Sequence, residues 1–203
     1  MDQATLERLI AARAESRCID YKLELDWGRA DRGAKLEIIR DILAMSNTPG
    51  GGSIILGVRD GDFEPVGLPE NAFNSFDQTR VHDLLQNYTD PRHFCRVQKF
   101  VINGKRFVLL EVPEFSEIPI ICAANENGRD GSVILRRGQL YIRTEAAATV
   151  ALNASEDMRE LLERATTRVG RRLFENFLGM LNPEAKRQFG AIFTGESGPK
   201  QGE

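Results

Sequence analysis

Cysteine and histidine are scarce in this chain of 203 residues, and neither is spaced for metal: Cys18, Cys95 and Cys122 stand far apart, as do His82 and His93. That excludes a CxxC redox pair and paired zinc knuckles, which need close-set ligands, and leaves buried free thiols as the expectation. No stretch approaches the roughly 20 consecutive apolar residues that span a bilayer. The N-terminus, with Asp2 and Glu7 among its first polar residues, lacks a secretory pattern. A cytoplasmic protein without a membrane partner is expected. Excess positive charge is missing too. A formal net charge of −3 argues against a coat that binds nucleic acid through charge alone, yet it leaves room for a local basic groove. The glycine run Gly50-Gly51-Gly52 has no following GKS or GKT and leads into a strand, so it reads as a tight turn rather than a phosphate loop. No repeat of solenoid period is found.

What is present reads as one domain with an appendage, given about 150 residues per domain. Thr5 is placed to cap a first helix with Leu6, Leu9 and Ile10 on one stripe. From Ile19 the pattern alternates, with Ile19, Tyr21, Leu23 and Leu25 on a core face and Asp20, Lys22 and Glu24 on a face left to solvent or ligand. Residues 35–46 carry a wide apolar helical face, and 53–58 form a short apolar run suited to a central strand. Ser75 and Gln78 have capping-box spacing before a stripe of Val81, Leu84, Leu85 and Tyr88. Strands at 94–102 and 105–112 flank Asn103-Gly104, the pair that best tolerates a type I′ turn. Strands at 132–136 and 140–143 read as a second hairpin.

Ser155 then caps a C-terminal helix with Met158, Leu161, Leu162, Ala165 and Val169 as its buried stripe. Gly170 is expected to interrupt it before a second stretch of Leu173, Phe174, Phe177, Leu178 and Leu181, ended by Asn182-Pro183. So many large apolar residues suggest either packing against a partner or covering of the sheet. The predicted organisation is therefore a domain over 1–152, a helical appendage over 153–193 and a disordered tail over 194–203.

Two basic groups stand out: Arg96, Lys99, Lys105 and Arg106 around the first hairpin, and Arg136, Arg137 and Arg143 around the second. Either set could face solvent or a phosphate backbone. Asp20 and Lys22 share a strand face, so a carboxylate lies beside an ammonium. That pair suits a structural ion pair or metal-assisted phosphodiester hydrolysis, in which a carboxylate holds the ion and the lysine stabilises developing charge. Glu15 and Asp60 would supply two further oxygen ligands if a turn or bulge brought them together with Asp20.

Glu15-Ser16 followed by Asp20-Tyr21-Lys22 resembles the E-S-x-x-x-E-F-K opening of the Schlafen AlbA-like domain. Residues 44–52, then Ile55-Leu56-Gly57-Val58, Asp60-Gly61 and Val66-Gly67, are similar to that family's A-x-A-N-T-x-G-G-x-L-x-I-G-V-x-D-x-G-x-V-x-G stretch, and Tyr141-Ile142-Arg143 to its late Y-x-R strand. The resemblance covers roughly residues 5–150. It implies an α+β fold, a mixed sheet with helices packed on it, followed here by C-terminal helices. It also implies a metal-dependent endoribonuclease acting on structured RNA such as tRNA, with Glu15, Asp20, Lys22 and Asp60 catalytic and Mg²⁺ or Mn²⁺ held by Glu15, Asp20 and Asp60. Asp20 and Tyr21 depart from the family's Glu and Phe. The partners expected are nucleic acid, RNA before DNA, and a second copy of the chain through the C-terminal helices. The rival readings are a non-catalytic DNA-binding regulator and an assembly subunit that binds a protein through Phe174 and Phe177.

Overall fold

The computed structural model describes residues 2–180. In chain order the elements are α1 (Gln3–Ala12), β1 (Ile19–Lys22), α2 (Arg32–Ser46), β2 (Gly52–Leu56), α3 (Glu70–Ser75), α4 (Gln78–Gln86), β3 (Thr89–Asp90), β4 (Arg96–Ile102), β5 (Lys105–Val112), β6 (Ile121–Cys122), β7 (Glu126–Asn127), β8 (Val133–Leu135), β9 (Tyr141–Arg143), β10 (Thr149–Ala151) and α5 (Ser155–Met180). The fold is α+β. Its main sheet has the order β1-β2-β5-β4, with β1 and β2 parallel and the other pairs antiparallel. A parallel pair needs a crossover, and α2 supplies it. Among the described residues no helix is long and apolar enough to cross a membrane.

Both faces of the sheet are covered, because residues alternate between them. Ile54, Leu56, Val108 and Leu110 face the larger core, which holds Leu36, Ile39 and Leu43 of α2, Val81 and Leu85 of α4, and Leu161 and Ala165 of α5. Tyr21, Ile55, Phe107 and Leu109 face a smaller core with Leu6 and Ile10 of α1. The hairpin at Asn103-Gly104 forms as expected, with φ of 50° and 76° at the two residues and an uninterrupted register from Ile102 and Lys105 outward.

Several local expectations are corrected. Asp2, not Thr5, caps α1, its carboxylate accepting the Thr5 amide. Ser75 ends α3 rather than starting a helix: its hydroxyl donates to the Ala72 carbonyl and accepts from the Trp27 amide, while Asp77 caps α4. The second predicted hairpin does not form. After Leu135 the chain turns onto β6, where the Gly138 amide donates to the Cys122 carbonyl and the Cys122 amide to that of Gln139. Consequently β8 pairs backward with β7, and β9 pairs forward with β10. Gly170 does not break α5. A helical glycine costs only about 1 kcal/mol relative to alanine, and arginines on either side of it are tied down: Arg168 to Glu114 and Arg172 to Glu117. Leu181, Asn182-Pro183 and the predicted tail at 194–203 lie outside the described residues.

Candidate functional site

Asp20 and Lys22 occupy alternate positions of β1, opposite Ile54 and Leu56 in register, and so project toward α2. The face that alternation left for solvent is instead roofed by α2 and by the β9–β10 hairpin. Lys22 Nζ lies 2.8 Å from Asp20 Oδ2 and 3.3 Å from Asp41 Oδ2, and Arg143 Nη1 lies 3.1 Å from Asp20 Oδ1. Thr149 Oγ1 donates to Asp41 Oδ1 at 2.7 Å and accepts from Arg143 Nη1 at 3.3 Å. Two carboxylates and two cations thus close on one another, with Asp20 4%, Asp41 6% and Arg143 2% exposed and the Lys22 side chain partly exposed at the edge.

Burial pushes the Asp20 carboxyl upward, and the neighbouring Asp41 charge adds to this against the pull of Lys22 and Arg143. Burial pulls the Lys22 ammonium the other way, but Asp41 and Asp20 together outweigh it, so its pKa is raised. Arg143 sits in β9 and was expected at a nucleic-acid surface; the structure corrects this, because its guanidinium neutralises Asp20 inside the protein. Asp41 and Thr149 were missed by sequence reasoning. A signal existed for Asp41, which stands three residues after Ile38 and four before Met45, on a helix face otherwise filled with buried apolar residues.

The expected metal ligands do not come together. Glu15 is turned onto the backbone, its Oε1 accepting the Tyr21 amide at 3.0 Å. Asp20 is held by Lys22 and Arg143, and Asp60 is exposed beyond the end of β2. Among the described residues no three His, Cys, Asp or Glu side chains gather so as to hold a metal ion. In the buried cluster Arg143 Nε and Nη2 lack hydrogen-bond partners, as does Asp20 Oδ2, which faces the Lys22 ammonium. Two cations already balance the cluster's two carboxylates, which leaves no net negative charge for a metal ion. Glu15, Asp20 and Asp60 therefore do not fit Mg²⁺ or Mn²⁺ in this arrangement.

The two basic groups differ in how far their charge is spent. On β4 and β5, Arg96 pairs with Glu111, Arg106 with Glu70, and Lys105 Nζ donates to the Pro65 carbonyl. Lys99 lies over the Phe73 ring, 5.2 Å from its centroid. Arg136 and Arg137 follow β8 and are exposed, and among the described residues neither side chain has an ion-pair partner. Their backbones are fixed: the Arg136 amide donates to the Tyr141 hydroxyl and the Arg137 amide to Asn125 Oδ1. Exposed Arg129 lies on the same β7–β8 hairpin.

A third charged assembly docks α5. Glu114, almost fully buried, accepts from Arg164 and Arg168 of that helix and from the Gly50 amide at 2.8 Å. Arg17 reaches Glu160 of α5 and the Arg143 carbonyl, joining the helix to β9. The C-terminal half of α5 leaves Leu173, Phe174, Phe177 and Met180 exposed.

The family model described as Schlafen, AlbA_2 matches residues 15–148, a span that includes the buried cluster and both basic groups. No protein of curated function matches the chain. Among solved structures, the DIP2311 protein from Corynebacterium diphtheriae is similar at 18% identity over 77% of this chain and 27% of that one, with a TM-score of 0.49. The N-terminal domain of a putative ATP-dependent DNA helicase RecG-related protein from Nitrosomonas europaea is similar at 25% identity over 68% of this chain and 89% of that one, with a TM-score of 0.40. The chain thus spans 27% of the length of the first of these relatives.

Proposed function

The chain belongs to the Schlafen, AlbA_2 family, and from that premise we propose that it binds nucleic acid, structured RNA before DNA, along the β7–β8 hairpin. The observation that carries this reading is the pair Arg136 and Arg137, exposed and without ion-pair partners among the described residues on backbone that is held in place. Free guanidiniums on a fixed backbone engage phosphate without first breaking an internal pair. The arginines and lysines of β4 and β5 support binding less, since each would have to give up an interaction within the protein.

The geometry does not favour the metal-dependent cleavage implied by the resemblance. It would require Asp20 to leave both Lys22 and Arg143, and Glu15 to leave the Tyr21 amide, before either carboxylate met an ion. Binding should accordingly persist in EDTA.

Replacing Arg136 and Arg137 together by Ala is expected to weaken binding of a labelled transfer RNA about tenfold, at roughly 0.7 kcal/mol for each exposed charge pair. The slope of log affinity against log salt should flatten by about 0.7 to 0.9 for each phosphate that the variant no longer neutralises. Fluorescence anisotropy at several salt concentrations measures both quantities. Unchanged affinity and slope would remove this hairpin from the interface.

Self-association through the exposed apolar end of α5 is part of the same proposal. A Leu173→Glu/Met180→Glu variant should shift light scattering from a dimer mass to a monomer mass. A monomer in both proteins would leave α5 as a covering helix alone.

A further inference from the structure

A cavity of about 380 Å³ lies where the loop between β1 and α2, the first turn of α2 and the helix α4 meet, lined by Trp27, Gly28, Arg32, Lys35, Arg80 and Leu84. Three of these six residues are cationic, and no carboxylate lines the space. Helical geometry explains the convergence. Arg32 and Lys35 are three residues apart on α2, and Arg80 and Leu84 four apart on α4, so each pair shares a helix face.

The nearby acids are committed elsewhere. Asp26 accepts the Gly28 and Arg29 amides, Asp31 caps α2 through the Ala34 amide, and Asp77 caps α4 through the amides of Thr79 and Arg80. Among the described residues, the side chains of Lys35 and Arg80 have neither an ion pair nor a hydrogen bond. Arg32 is differently placed. Its guanidinium holds Glu126 and donates to the Tyr88 hydroxyl at 2.8 Å, which fixes its direction at the cavity wall. Like charges gathered around one space repel one another, and an anion relieves that repulsion.

The remaining wall is apolar, formed by half-buried Leu84 and by the small accessible part of Trp27, which is 4% exposed and otherwise packs in the core against Phe76. A ligand that combines an anion with a flat, weakly polar group meets both kinds of wall, and a nucleotide unit is such a ligand. The volume lies toward the small end of the roughly 300–1,000 Å³ typical of ligand cavities, suited to one unit and not to a longer segment. Arg32 also joins the cavity to the β7–β8 hairpin, because Glu126 is on β7 and its partner Leu135 on β8 immediately precedes Arg136.

We propose that this cavity receives one nucleotide unit of the bound strand, its phosphate on Lys35 and Arg80 and its base or sugar against Leu84 and the small accessible part of Trp27. The inference rests on the nucleic-acid-binding reading of the β7–β8 hairpin. It assigns to Lys35, Arg80 and Trp27 a role for which the arginines of the hairpin are not needed.

Trp27 is the chain's single tryptophan, so its emission reports on the cavity directly. The full chain is titrated with a short fluorescently labelled RNA, following RNA anisotropy and Trp27 emission in parallel. Expected is a change in Trp27 emission whose midpoint coincides with that of the anisotropy. A Lys35→Gln/Arg80→Gln variant should lose the emission change and bind about tenfold more weakly, with an unaltered melting temperature. Adenosine monophosphate should reproduce the emission change at far higher concentration and compete with the RNA.

If the RNA binds but Trp27 emission does not move, and the Lys35→Gln/Arg80→Gln variant binds as tightly as the wild type, the cavity proposal is overturned while the binding reading stands. If the wild type binds no RNA, the binding reading itself fails. An emission change with adenosine monophosphate alone would then overturn the strand proposal in favour of a free-nucleotide site.

Discussion

Replacing Arg143 by Met is expected to lower the stability of the fold by about 3–5 kcal/mol, the usual consequence of removing one partner from a buried ion pair. For a domain of this size each kcal/mol moves the melting temperature by roughly 2–4 °C, so the midpoint should fall by roughly 6–20 °C. The loss comes less from the missing attraction than from what is left behind. Asp20 and Asp41, both buried, would face a single cation, Lys22, whose own side chain is partly exposed. Asp20→Asn should cost less, because it removes one of two carboxylates that already repel each other. Combining the two replacements should restore part of the stability lost with Arg143 alone, since they act on one pair.

The deficit should depend on pH in a defined direction. Asp20 has a raised pKa in the folded protein, and without Arg143 it would be raised further. A carboxyl raised on folding binds more protons folded than unfolded, so its penalty vanishes below the ordinary value of 3.8 and grows as pH rises through the folded value. The gap between Arg143→Met and wild type should therefore be narrowest in acid and widest near neutrality. Thermal melts at a series of pH values measure it. Melting temperatures equal to within about 1 °C at pH 7 would refute the structural role assigned to this cluster.

Gly51→Ala is expected to prevent accumulation of folded protein or to cost more than about 4 kcal/mol, a size reserved for backbone conflicts and similar failures. Gly51 has φ of +78°, and a Cβ there would lie 2.1 Å from the Val112 carbonyl oxygen, 2.8 Å from the Glu114 nitrogen and 2.9 Å from the Pro113 carbonyl carbon. All three are backbone atoms, so no side-chain rotation relieves the overlap. Relief requires β2 to move away from β5, and that pairing sits at the centre of the sheet. Its neighbour is the control. Gly50 has nearly the same φ of +77° but open space around its Cβ direction, so Gly50→Ala should cost only about 1–2 kcal/mol for the left-handed conformation. Soluble yield and chemical denaturation of the two variants separate conformational strain from collision. Equal stability for both would show that the close approach to β5 is not maintained in solution.

The same geometry explains the glycine run. Gly50 turns its amide to Glu114 and Gly51 passes against β5. The absence of a nucleotide-loop ending agrees with this turn, although nothing local in the sequence indicates that the constraint comes from residues 112–114.

The sequence by itself determined the elements whose cause is local. Alternation at Ile19, Asp20, Tyr21 and Lys22 specified β1, the wide apolar face of residues 35–46 specified α2, and Asn103-Gly104 specified the hairpin of β4 and β5, because side-chain period and permitted φ act over a few residues. The order of residues also carried the family, through motifs near Glu15, Asn47 and Tyr141. Only the tertiary structure decided what those residues do. Asp20 and Lys22 looked solvent-facing because alternation says nothing about a roof, and the roof comes from Asp41 and Arg143, 21 and 123 residues after Asp20. Arg143 looked like Arg136 and Arg137 in the sequence, yet one strand pairing buries it against a carboxylate while the other two remain exposed. The charge of a lysine or arginine is written in the sequence, but whether that charge is already spent depends on the carboxylates that folding brings to it.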